Sequence, residues 1–213
     1  MLLSIIACNQ NAKKGNCEDE NQIKKSGKLE VKAEIEKWKK ELLEKKLIGN
    51  PCYFRKTHDS TDCINWYENN PDQQDGLPFD DKMIKSVCHD FNNDKKEDFL
   101  LYFMSENCTG HNGGAKTYAT IIYSNNISNS DLMNEIIRAI LSEYKQMMRV
   151  DKNLKEITDA YLESTTTIDA YKNGIIGQFR LYTKEDPHCC PSYTGNYTYQ
   201  VENKSMMIEI SKK

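Results

Sequence analysis

The sequence predicts an α+β domain: an antiparallel sheet with two helices packed on it. Three observations lead there. Apolar residues recur at helical spacing in two stretches, Leu29 to Leu47 and Leu132 to Tyr144. Most of the remaining chain is made of short apolar and aromatic runs of strand length. Asn173-Gly174 sits between two such runs, and that dipeptide favours the tight turn of a hairpin.

The first helix is expected over Leu29 to Leu47. Val31, Ile35, Trp38 and Leu42 fall on one face, and Gly49-Asn50-Pro51 stops the ladder. Lys37, Lys39, Lys40, Lys45 and Lys46 are interleaved with Glu34, Glu36, Glu41 and Glu44, which describes a solvated helix face. Residues Pro51 to Pro78 read as a polar loop. A hairpin follows, with strands Met83 to Cys88 and Phe99 to Met104, and Tyr118 to Tyr123 is a third strand. Ser128 to Asp131 can cap the second helix, whose apolar face is Leu132, Ile136, Ile137, Ile140, Leu141 and Tyr144. Further strands are expected at Ile157 to Leu162, Thr166 to Tyr171, Ile175 to Tyr182, Tyr193 to Val201 and Met206 to Ile210. A turn at Glu202-Asn203-Lys204 joins the last two.

The chain has 213 residues, 38% hydrophobic and 29% charged, with a formal net charge of −3. That length suits one domain with a tail, and the acidic balance argues against nucleic acid as a partner. Eight cysteines point to metal binding or to export into an oxidising compartment. The N-terminus, MLLSIIACNQNAKKGN, favours export. A short apolar run, Leu2 to Ile6, leads to Ala7-Cys8, and polar sequence follows. This resembles a bacterial lipoprotein signal, in which a small residue precedes the cysteine that becomes lipidated. The run is shorter than usual and no Lys or Arg precedes it. Residues 1–8 are therefore expected to be the signal ending at lipidated Cys8. Residues 9–28, rich in Asn, Lys, Gly and Glu, form a tether, and 29–213 form the single domain. The membrane would be reached through acyl chains alone, because no later segment approaches the ~18 apolar residues of a span.

The hairpin turn Asp90-Phe91-Asn92-Asn93-Asp94-Lys95-Lys96-Glu97-Asp98 carries oxygen side chains at loop positions one, three, five and nine. A hard cation needs several such oxygens at once, so Asp90, Asn92, Asp94 and Asp98 are candidate ligands for a structural calcium. The stretch resembles extracellular calcium loops, except that Lys95 stands where those have glycine. The competing reading is a polar turn whose side chains bond their own backbone, and Lys95 and Lys96 favour it.

Two segments carry a further resemblance: Val87 to Tyr123, with Cys108-Thr109-Gly110-His111-Asn112-Gly113-Gly114 after an apolar strand, and Ile175 to Val201, with DPHCCPSYTGNYTYQV. They resemble secreted bacterial lipoproteins of the LppP/LprE-like kind, a family without an established function. The resemblance implies that Cys108 bridges Cys189 or Cys190, closing a loop of about 80 residues that contributes about 4 to 5 kcal/mol. The other thiol of the adjacent pair would bond Cys88 or stay buried. Along an extended chain neighbouring cysteines diverge, so two separate bridges are expected. Cys52 and Cys63 can close the polar loop, contributing about 3 kcal/mol. Cys17, in the tether, would be left over. A zinc site using His89, His111 and His188 beside Cys88, Cys108 and Cys189 is the weaker alternative, because paired ligand spacing is missing.

No G-x-S-x-G, H-E-x-x-H or phosphate-binding glycine loop occurs. His111 can act as a general base, but no partner for it is identifiable in the sequence. Asp80-Asp81 reads as an exposed turn. Tyr193, Tyr197 and Tyr199 share one strand face and offer a binding surface, with packing against the sheet as the favoured competitor. The function expected is non-catalytic: binding an unknown protein or ligand, or a structural role, at the cell envelope. An envelope hydrolase using His111 or a bound metal, and an inhibitor or immunity-type protein, are the alternatives.

Overall fold

The computed structural model describes residues 31–49, 69, 75–78, 80–106, 115–159, 161–187 and 189–212. The class is the expected α+β. The first helix, α1, spans Val31–Glu44 and buries Trp38 and Leu42, with Val31 and Ile35 packed partly beside them. It ends before Gly49. Leu47 N donates to Leu42 O and Lys46 N to Leu43 O, each 3.0 Å, while Lys46 takes a left-handed φ of 53°. Those two crossed bonds satisfy the last carbonyls, so a lysine does what glycine usually does at this position.

Four antiparallel strands form the first sheet in the order β1-β2-β3-β4: Lys85–His89, Asp98–Met104, Thr117–Ile122 and Ser128–Asn129. The central strand β2, DFLLYFM, is buried at every position but its last. Its alternation feeds two cores. Phe99, Leu101 and Phe103 face α1, meeting Trp38, Leu42, Ile48, Leu77 and Ile84. Leu100 and Tyr102 face the other way, toward helix α2, Leu132–Val150. A strand clothed on both faces reads as a continuous apolar run, which is what FLLYFM is.

Helix α2 presents Leu132, Ile136, Ile140 and Tyr144, each with 0% exposure. Burying such side chains contributes about 1.5–3 kcal/mol apiece. The strands that follow do not extend the first sheet. They build a second one, β5-β7-β8-β9, with β6 pairing the same edge of β7 as β5. Its strands are β5 Ile157–Thr158, β6 Thr167–Tyr171, β7 Ile175–Thr183, β8 Tyr193–Gln200 and β9 Ser205–Lys212. The single sheet expected from sequence is thus two sheets sharing one core with α2. The Asn173-Gly174 turn is where the sequence put it, with φ of 52° and 149°.

Residues 157–162 are not one strand. After β5 the chain makes a helical turn, α3, Leu162–Thr165. Thr165 and Thr166 donate their hydroxyls to the carbonyls of Tyr161 and Leu162, at 2.9 and 2.7 Å. These short side chains bond the preceding turn and bend the chain out of the strand.

Candidate functional site

A groove of about 270 Å³ opens beside β3, between α1 and α2. One wall is Trp38, Leu42 and Leu47, and the opposite wall is Met133 and Ile137. Tyr118 and Thr117, which point to opposite faces of β3, both line it, so the edge of the strand lies between the walls. That edge is only half covered. β4 pairs Ile121 and Ile122 and then stops.

Ladder parity says which backbone groups face the groove. Ser105 N donates to Lys116 O at 2.7 Å, so Lys116 turns its backbone toward β2. Antiparallel pairing alternates, so Tyr118 does the same, and Thr117 and Ala119 turn their N–H and C=O outward. Both residues are only 6% exposed. Among the described residues no backbone partner meets their outward groups. The Thr117 hydroxyl is buried and likewise without a hydrogen-bond partner.

Polar bonds hold the mouth of the groove in place. Ser105 Oγ donates to Asp75 Oδ1 at 2.9 Å and accepts from Lys116 N at 3.0 Å. The Tyr118 hydroxyl lies 2.9 Å from Leu47 O and 3.1 Å from Asp75 Oδ2. Burial, and then the Asp75 carboxylate, push the Tyr118 phenol well above its ordinary range, so it stays a donor. Lys116 Nζ pairs with Glu163 at 3.2 Å, and Glu41 pairs with Lys45. Both carboxylates lining the groove are therefore matched, and it presents little net charge.

The residues singled out from sequence fall elsewhere. Tyr193, Tyr197 and Tyr199 are core residues, exposed by 0%, 1% and 1%, and form no surface. They face α2 across the second sheet, and each hydroxyl is satisfied inside. Tyr193 accepts from Lys155 N, Tyr197 donates to Thr167 O, and Tyr199 bonds Glu135. The correction has a simple cause: the strand face they share is the one that α2 covers.

The acidic turn is laced to its own backbone. Asp90 accepts from the amides of Asp94 and Lys95, at 3.0 and 2.8 Å, and Asp94 accepts from Lys96 at 2.9 Å. Asn92 Oδ1 accepts from Asp94 N. Asp98 is fully buried and accepts from Phe91 N and Ser124 N, at 2.9 and 2.8 Å. Among the described residues no group of three or more His, Cys, Asp or Glu is placed to hold a metal.

Cys189 and Cys190 lie in a turn rather than in an extended run. Cys190 N donates to Pro187 O at 2.9 Å, which brings the neighbouring side chains together, and the Cys189 and Cys190 sulfurs meet at disulfide distance. The expected divergence toward two partners is absent for that reason. Asp186 closes the turn, accepting from the amides of Thr183 and Ser192 and from the Ser192 hydroxyl. Cys88 is disulfide-bonded. His89 packs against the rings of Phe91 and Tyr171, at 5.3 and 4.9 Å, which also touch each other. Asp80 caps a short turn through Lys82 N, and Asp81 pairs with Lys39 at 2.9 Å, so both serve structure. The assignments to Cys8, Cys17, Cys52, Cys63, Cys108, His111 and His188 lie outside the described residues.

Sequence reasoning missed the groove. Trp38 and Leu42 were read as helix core, and Thr117 belongs to no motif. The available signal was the brevity of the segment between Tyr123 and Leu132, which is too short to cover all of β3. Comparison with protein-family models, with curated proteins and with solved structures found no match for the chain. Among the described residues no helix is long and apolar enough to cross a membrane.

Proposed function

We propose that this is an exported protein, lipid-anchored at Cys8 to the cell envelope, whose domain binds a protein or ligand without catalysis. The observation that carries the anchor is the run Leu2 to Ile6 followed by Ala7-Cys8 and a polar tether. The cysteine chemistry supports export. Cys88 is disulfide-bonded and the Cys189 and Cys190 sulfurs stand at disulfide distance, an oxidised pattern suited to a compartment beyond the cytoplasm. The resemblance of DPHCCPS and its flanking strand to secreted lipoproteins points the same way. For the binding role, the support is the groove beside β3, which is preformed and holds a buried hydroxyl with no partner.

Radiolabelled palmitate fed to cells expressing the full chain tests the anchor. Label should enter the wild type, which should sediment with membranes. Cys8→Ser should take up none and should move to the soluble fraction. Equal labelling of both proteins would refute lipidation at this cysteine.

A further inference from the structure

Buried polar groups in folded proteins almost always find partners, so several unsatisfied ones at one place call for an explanation. Five converge on the groove beside β3. Thr117 Oγ1 is buried and unpaired. The outward N–H and C=O of Thr117 and of Ala119 lie at a strand edge that β4 leaves uncovered. That edge alternates donors and acceptors at the repeat of an extended chain, which is the pattern another peptide backbone completes. Apolar side chains stand on both walls, Trp38 and Leu42 against Met133 and Ile137, with Glu41, Ser130 and Asn134 among them. A strand laid along the edge sends successive side chains to opposite walls, so both kinds of position meet apolar surface.

We infer that the groove receives an extended peptide segment of a partner protein, paired through its backbone to Thr117 and Ala119, with small apolar side chains against the two helices. The proposal rests on the reading of the domain as a binding module and names the class of partner; it does not depend on the lipid anchor. Size sets the scale. From Thr117 to Ala119 the open edge serves about three residues at ~3.3 Å each, and a 270 Å³ space admits side chains the size of alanine or valine. Charge agrees, because Glu163 and Glu41 are already paired and an uncharged segment meets no unmatched ion. The Thr117 hydroxyl gains its missing partner from the same backbone.

The test uses a phage-displayed library of random heptapeptides, selected on the full chain. Enriched peptides are resynthesised with and without an N-methyl group on alternate backbone nitrogens, and their effect on amide exchange is read by NMR. The expected result is enrichment of uncharged sequences with adjacent small apolar residues. N-methylation in the register that faces β3 should weaken binding at least tenfold, and the Thr117 and Ala119 amides should exchange more slowly in the complex. Leu47→Glu, at an exposed position on the rim, should weaken binding without altering the fold. Three outcomes overturn the proposal. No sequence is enriched; or the N-methylated peptides bind equally well, so that the groove takes apolar groups rather than a strand; or protection falls on another edge strand such as β9. Failure of palmitate labelling would leave this measurement untouched, so the two ideas fail separately.

Discussion

Asp186 and Asp98 each accept two backbone amides, yet their carboxyls shift in opposite directions. The Thr183 and Ser192 groups around Asp186 hold its carboxyl down at about 2, because every neighbour is a donor and water still reaches it. Burial pushes the Asp98 carboxyl up, and the amides of Ser124 and Phe91 only partly offset it. The sign for stability follows. A depressed carboxyl stabilises the fold above its unfolded value of about 3.9 and loses that contribution as pH falls toward 2. We predict that melting temperature drops over this interval in the wild type. Asp186→Asn should be less stable than the wild type at neutral pH and should lack the Asp186 part of the acid step. A thermal melt series from neutral pH to about pH 2 checks it, and an unchanged acid profile in the variant would contradict the assignment. Asp98 acts in the other sense, since charging a buried carboxyl opposes folding as pH rises through its raised value.

The acidic hairpin turn shows how an element can satisfy two descriptions at once. Its oxygens fall at the sequence positions a calcium loop uses, and Lys95 adopts a left-handed φ of 68°, the conformation for which such loops use glycine. The same oxygens are engaged by backbone amides, which closes the turn as a metal-free structure. Calcium on Asp90, Asn92, Asp94 and Asp98 is a proposal that calorimetry decides. Titrating calcium chloride into the full chain should give saturable heat, with a rise in melting temperature that Asp90→Asn removes. Absence of both would establish the polar turn. Elements also explain DPHCCPS. A sulfur–sulfur ring between adjacent residues restrains very little unfolded chain, in contrast to the 80-residue loop expected from the resemblance, so in this turn Asp186 supplies the closure.

At the scale of the whole molecule, α2 is the shared member. Its buried stripe touches strands of both sheets, and the core it completes runs from Leu100 and Ile121 to Phe179 and Tyr197. Ile140 sits in that stripe at 0% exposure. Truncating it to alanine removes three methyl or methylene groups from a packed interior, which costs about 2–5 kcal/mol. We predict that Ile140→Ala lowers the unfolding free energy by that amount, moving the urea midpoint down in proportion, and that fluorescence and circular dichroism still report one coincident transition, because neither sheet keeps a core of its own on that side. Two separated transitions would show that the sheets fold independently.

Secondary structure was legible because its periodicities are local. The two helical stripes, the FLLYFM strand and the Asn173-Gly174 turn were each written within a dozen residues. The boundaries that moved did so through local hydrogen bonds without a strong pattern: the crossed amides at Lys46 and the threonine hydroxyls after Tyr161. Only the tertiary structure decided that the strands divide into two sheets, that the tyrosine face is interior and that the edge of β3 stands open between two helices. Those outcomes depend on which surfaces meet across long separations in the chain. A strand face carries the same alternation whether a helix or a partner covers it, so burial is a property of the assembled packing.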